Sequence, residues 1–373
     1  MHSFTLIFIG MLALSLVMRF WLAQRQIAHI KAHRASVPEA FADKISLDDH
    51  QKAADYTVAK TQFGRIPLFY DAGLLLLWTL GGGLEWLNQA TIGLELSPIM
   101  TGIIVMLSFF LVSSLLELPF SIYSTFVIEE RFGFNRTTVK TFITDMIKGA
   151  ILALALGVPL LWVILWLMEQ SGELWWVYAW LVWTGFSLLI MWIYPTIIAP
   201  IFNKFEPLEE GETLNRIQSL LQRCGFSSNG IFVIDGSKRS SHGNAYFSGF
   251  GRNKRIVFFD TLLKMLDDDQ LEAVLAHELG HFKKKHIIKG ILISVATTFV
   301  ALALLESVVH ETVMDPFKPL FDFIQWRKQE SFDTMILGFA AEEVLLVTRQ
   351  SHDLRTNLGT LVVSLRSVVK DAT

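Results

Sequence analysis

Apolar runs long enough to cross a bilayer punctuate the chain at Phe4 to Phe20, Leu68 to Leu87, Ile99 to Leu118, Ala150 to Met168 and Leu174 to Ile201, with a sixth at Ile287 to Val309. At about 1.5 Å per helical residue, runs of this length match a hydrocarbon layer roughly 30 Å thick. Between the fifth and sixth runs the pattern changes. Leu214 to Cys224 has the period of an amphipathic helix, Gly230 to Ile234 and Arg255 to Phe259 read as strands, and Gln270 to Lys289 reads as a second helix. The expectation is a mainly α, polytopic helical membrane protein with a small α+β domain. Its parts are a five-span bundle (1–201), the α+β domain (202–289), the sixth span (287–309) and an irregular tail (310–373).

Composition agrees, with 52% apolar and only 18% charged residues. The first run has no basic segment before it and no small-residue cleavage site after it, so it reads as a retained anchor. Basic residues fix an orientation. Eight Lys and Arg lie in Arg19 to Arg65, four in Ser121 to Lys148 and thirteen in Phe202 to Lys289, while Asn88 to Pro98 and Glu169 to Glu173 carry none. By the positive-inside rule the amino terminus is outside and the α+β domain is cytoplasmic. This segregation accounts for the basic residues without a nucleic-acid partner, and the bilayer is the partner implied. Cys224 is the only cysteine, which excludes an internal disulfide or a multi-thiolate metal site; it is expected to be a small buried hydrophobe.

The chemistry lies in His277-Glu278-Leu279-Gly280-His281. Two imidazoles four apart share a helical face and can ligate one zinc ion, with Glu278 as the base that takes a proton from its water. Asp267-Asp268-Asp269 begins this helix, supplying an N-cap and negative charge at the positive end of its dipole. Leu275, Ala276, Leu279, Gly280 and Phe282 leave the faces around the motif uncharged, which suits a buried metal-bearing helix. His286, five residues beyond His281, falls off the ligand face and reads as interfacial, as do Lys283, Lys284, Lys285 and Lys289. Glu117, inside the third span, should face a partner or an internal cavity.

The flanks of the motif are Gly236-Ser237-Lys238-Arg239-Ser240-Ser241-His242-Gly243-Asn244-Ala245-Tyr246-Phe247-Ser248-Gly249-Phe250 and Lys254 to Leu263. Farther upstream stand Ile128-Glu129-Glu130-Arg131-Phe132-Gly133-Phe134-Asn135, Tyr194-Pro195 and Ala199 to Phe205. Together, over about residues 40–300, the chain resembles the type I CAAX prenyl endopeptidases, integral-membrane zinc metalloproteases. The resemblance implies six to seven spans enclosing a chamber, one zinc ion, a peptide or membrane-protein substrate held extended, and Asn244 binding its backbone. The strand ending near Asp260 could take the substrate by edge addition. It also implies a third ligand, a Glu in a downstream Glu-x-x-x-Asp pattern. Glu330, Glu342 and Glu343 are its candidates, but Thr334 stands where Glu330 would need its Asp, and His352 precedes Asp353 where the family has Pro. A bacterial inner-membrane homologue with an altered or truncated tail is therefore expected. A catalytically incomplete member is the alternative, and a transporter or channel a weaker one.

Overall fold

The computed structural model describes residues 3–43, 45–226, 228–248 and 254–310. Five of its helical stretches are long and apolar enough to cross a membrane, or six if one bent pair counts as a span. The chain forms two compact units, the first ending at Gly133 and the second running from Phe134 to Ser307.

In the first unit, α1 (Ser3–His33) packs along α2 (Leu47–Thr79), with Phe20 against Phe69 and a two-pronged Arg34–Asp55 ion pair at 2.7 Å. Ser46 caps α2, its Oγ accepting from the Asp49 N–H at 3.1 Å. The second apolar run is not one straight helix. It breaks after Thr79 and resumes 51° away as α3 (Gly83–Ile92). Gly82 at the break has φ 76°, and a Cβ on Gly81 would stand 2.7 Å from the Leu77 carbonyl oxygen. Trp78, Leu87 and Val105 fill the corner against α4 (Pro98–Tyr123). A π-helical turn, Ser124–Glu129, continues α4 and sets Glu129 to accept from Tyr56 Oη at 2.6 Å, with the Lys60 ammonium 3.7 Å away.

The second unit holds α5 (Val139–Gln170), α6 (Trp175–Ile193) and α7 (Ala199–Phe202), and a further π-helical turn at Tyr194–Ile198, where Pro195 has no N–H to donate. Beyond them a sheet forms in the order β1 (Phe205–Pro207), β2 (Ile231–Ile234), β4 (Arg255–Phe259), β3 (Ala245–Ser248). β2 and β4 are parallel, and the two outer strands are antiparallel to their neighbours. The amphipathic helix is α8 (Glu212–Arg223), whose Ile217, Leu220 and Leu221 are buried with Phe226, Ile256 and Phe258. Cys224 is exposed, against expectation: α8 ends one residue before it, and the turn at Gly225 (φ 64°) delivers Phe226 to the core in its place.

After α9 (Asp260–Met265), helix α10 (Asp268–Lys283) carries the zinc motif, and α11 (His286–His310) follows. The single helix expected over Gln270 to Lys289 thus ends at Lys283. Stopping there places Lys283, Lys284 and Lys285 at the negative end of the α10 dipole. α11 lies against α6, with Phe299 packed on Trp176 and Trp180, and the Trp180 indole N–H donating to the Val295 carbonyl at 3.1 Å.

Candidate metal and substrate site

α10 is built to hold one face still and leave the other free. Asp267 is its N-cap in a capping box: the Gln270 N–H donates to Asp267 Oδ1 at 2.9 Å, and the Asp267 N–H to Gln270 Oε1 at 3.2 Å. Thr213 donates to Asp268 at 2.6 Å, while Arg216 bonds Asp269 and Glu272 and Arg223 bonds Glu272, so α8 grips the first two turns. Leu271, Leu275 and Leu279, spaced by four, form a buried ridge in the core. That ridge turns His277 and His281 to the opposite, exposed face, so the imidazoles are not buried as the uncharged flanks suggest. Glu278 is partly buried between them.

The Nε2 atoms of His277 and His281 are 3.2 Å apart. Two imidazole nitrogens on one tetrahedral ion, each about 2.0–2.1 Å from it, stand about 3.4 Å apart, so the pair fits a shared metal. Among the described residues no third His, Cys, Asp or Glu completes a group of three. Glu330, Glu342 and Glu343 lie outside the described residues. His286 is not remote from the motif: the turn at Lys284–Lys285, with Lys285 at φ 55°, brings its Nδ1 to 2.9 Å from His281 Nδ1, on the side of the ring away from His277.

The sheet corrects the expected substrate edge. β4, the strand ending at Phe259 before Asp260, is central and has both edges occupied, by β2 and β3. Its uninterrupted apolar run Ile256-Val257-Phe258 is the sign of burial on both faces and could have shown this. β3 is the outer strand beside β4, it packs beside α10, and Asn244 immediately precedes it. The Asn244 carbonyl accepts from the Phe259 N–H at 2.9 Å, and its side-chain amide bonds no described residue. Gly243 allows this approach, since a Cβ there would meet Leu262 Cδ1 at 2.9 Å and Leu262 Cα at 3.2 Å. Asp260 serves the turn: its carboxylate accepts from the Ser237 N–H at 2.8 Å and from the Ser237 hydroxyl. Burial raises the Asp260 pKa, but the Ser237 bonds, with the Lys264 ammonium and the Thr261 backbone, together hold the carboxyl below its ordinary value.

Nothing in the sequence around Arg239 marks it as a functional position, yet it fastens the separated sequence motifs together. Its guanidinium donates to both Asp145 oxygens at 2.6 and 2.9 Å, to Asn203 Oδ1 at 2.7 Å and to the Phe202 carbonyl at 2.7 Å. Its own carbonyl accepts from the Arg136 N–H and the Thr137 hydroxyl, both at 3.0 Å. Asn135 bridges Ser240, and Phe134 stacks on His242 at 4.2 Å between ring centres.

Comparison with known proteins gives the same picture. A family model described as CAAX prenyl protease N-terminal, five membrane helices, matches residues 26–204, and Peptidase family M48 matches 207–349. The second match runs past the motifs legible by eye and over Glu330, Glu342 and Glu343. CAAX prenyl protease 1 of Saccharomyces cerevisiae is 46% identical over 223 residues, covering 59% of this chain and 48% of that protein. The CAAX prenyl protease 1 homolog of Arabidopsis thaliana is 36% identical over 296 residues, covering 74% and 67%. A crystal structure of S. mikatae Ste24p aligns with TM-score 0.77 at 36% identity, over 83% of this chain and 74% of that one. The chain spans about half to two thirds of the length of these two curated relatives. It is a mainly helical, multi-pass integral membrane protein, and it belongs to the CAAX prenyl protease family of peptidases.

Proposed function

We propose that the chain is a membrane-embedded zinc endopeptidase, with one zinc ion held by His277 and His281 and its site on the cytoplasmic side. The observation that carries this reading is the 3.2 Å separation of the two Nε2 atoms on one exposed helix face. Glu330, Glu342 and Glu343 are the available carboxylates for the third ligand. The zinc, when bound, polarises the scissile carbonyl and acidifies a water. Glu278 takes that water's proton and returns it to the leaving amine. An extended peptide adds to the outer edge of β3, beside α10, and the Asn244 amide, which bonds no described residue, bonds its backbone. The relatives are named for prenylated CAAX substrates, so the substrate class proposed is a carboxyl-terminal peptide or membrane protein.

The test uses the full chain purified in detergent. Zinc content is measured beside cleavage of a prenylated and an unmodified carboxyl-terminal peptide. About one zinc per chain is expected. Glu278→Gln should keep the zinc and lower kcat by at least roughly 100-fold, the loss expected of a missing general base. Chelation should abolish cleavage and added zinc restore it. Zinc without cleavage in the wild type would identify a catalytically incomplete member, and absence of zinc would sink the reading altogether.

A further inference from the structure

We propose that His286 is a positioning residue that fixes the orientation and tautomer of His281. The inference rests on the zinc site proposed above. On an unbroken helix His286 would sit about 140° around the axis from His281 and could not reach it. The chain avoids this by ending α10 at Lys283 and passing Lys285 through the left-handed region, at φ 55°, before α11 begins at His286. The result is an Nδ1-to-Nδ1 contact of 2.9 Å, with the rings nearly perpendicular at 76°.

The contact assigns the protons. A metal shared by the two Nε2 atoms would use the His281 Nε2 lone pair, which leaves the imidazole proton on Nδ1. His281 Nδ1–H then donates to His286 Nδ1, and His286 keeps its own proton on Nε2. His286 is not the missing third ligand, because it meets His281 through the nitrogen opposite the one that faces His277. It is the outer support that keeps the His281 ring turned toward a shared ion, a role that in metal sites falls to the acceptor of a ligand's second N–H. Its place directly after the break makes that break part of the site. The first turn of α11 contributes a side chain to a centre whose two described ligands both lie on α10.

The experiment measures zinc affinity of the full chain in detergent by competition with a chromophoric chelator, alongside thermal unfolding of the metal-free protein. His286→Asn keeps an acceptor where Nδ1 stood, His286→Gln moves it outward to the Nε2 place, and His286→Leu removes it. Leu and Gln should bind zinc about 10- to 100-fold more weakly, with Asn close to wild type. Metal-free unfolding temperatures should coincide, since the role concerns the metal and not the fold. The Asn–Gln comparison decides the matter even if His286→Leu does not fold. Equal affinities across the variants, or Asn as weak as Gln, would overturn the inference alone. A wild type that binds zinc but cleaves nothing would overturn the protease reading and leave this one standing. A wild type that takes no zinc would overturn both.

Discussion

Asp260 directly follows β4, the strand expected to receive substrate, yet its carboxylate is engaged by Ser237 in the turn between β2 and β3. A depressed carboxyl pKa has a definite consequence for stability. The native state holds Asp260 ionised to a lower pH than the unfolded chain does, so its contribution is complete above the unfolded value, about 3.9. That contribution is lost as pH falls below this value and through the lower native pKa. Thermal unfolding of wild type and Asp260→Asn should therefore differ by a constant amount above about pH 5 and converge below about pH 4. A gap that persists unchanged at acid pH would show that Asp260 stabilises by shape and not by charge. The Lys264 ammonium, 3.6 Å away and largely exposed, adds little to this.

Among elements, α10 shows what can be read from sequence and what cannot. Its cap is legible: three acidic residues before an apolar rhythm, with Gln270 three beyond Asp267, announce a capping box. Asp267→Ala should cost about 1 kcal/mol of unfolding free energy, measured by denaturant titration, and loosen zinc only secondarily. Its end is not legible, because Lys284 and Lys285 are ordinary helix formers and nothing local forbids continuation. The same holds for the bend between α2 and α3, which hydropathy reads straight through because Gly81-Gly82-Gly83 hardly lowers the average. β1 and β3 escaped for another reason: at three and four residues they are too short to show a period, and only their pairing with β2 and β4 makes them strands. Gly243, in turn, reads as a flexible loop residue but is a point of close packing. Gly243→Ala pushes against the Leu262 backbone and should destabilise by about 1–3 kcal/mol while raising KM, as the Asn244 segment is displaced from α9.

At the scale of the whole molecule, the question is why motifs more than 100 residues apart in sequence occur together, and in the second unit Arg239 supplies a physical answer. The membrane span α5 offers Asp145, the end of α7 offers Asn203 and the Phe202 carbonyl, and the turn after β2 delivers the guanidinium that satisfies all three. Lys204 N–H donating to Asp235 at 2.8 Å and Lys148 donating to the Ile201 carbonyl at 2.7 Å reinforce the same seam. The sheet that carries β3, and through it the registration of Asn244 beside α10, is thus tied to the spans by charge-assisted bonds at one side chain. Lysine cannot replace it, because a single ammonium cannot span a carboxylate, an amide and a carbonyl in one plane. Arg239→Lys and Arg239→Met should each lower stability, by about 2 kcal/mol for the loss of bonds to a quarter-exposed carboxylate. Asp145→Asn should cost less, since the amide oxygen still accepts from the guanidinium. Because none of these guanidinium bonds reaches α10, zinc affinity should change little while KM for peptide rises, a division that kinetics and chelator competition on the same preparations resolve. Equal losses of zinc and of peptide binding would mean that Arg239 supports α10 itself and not the seam between sheet and spans.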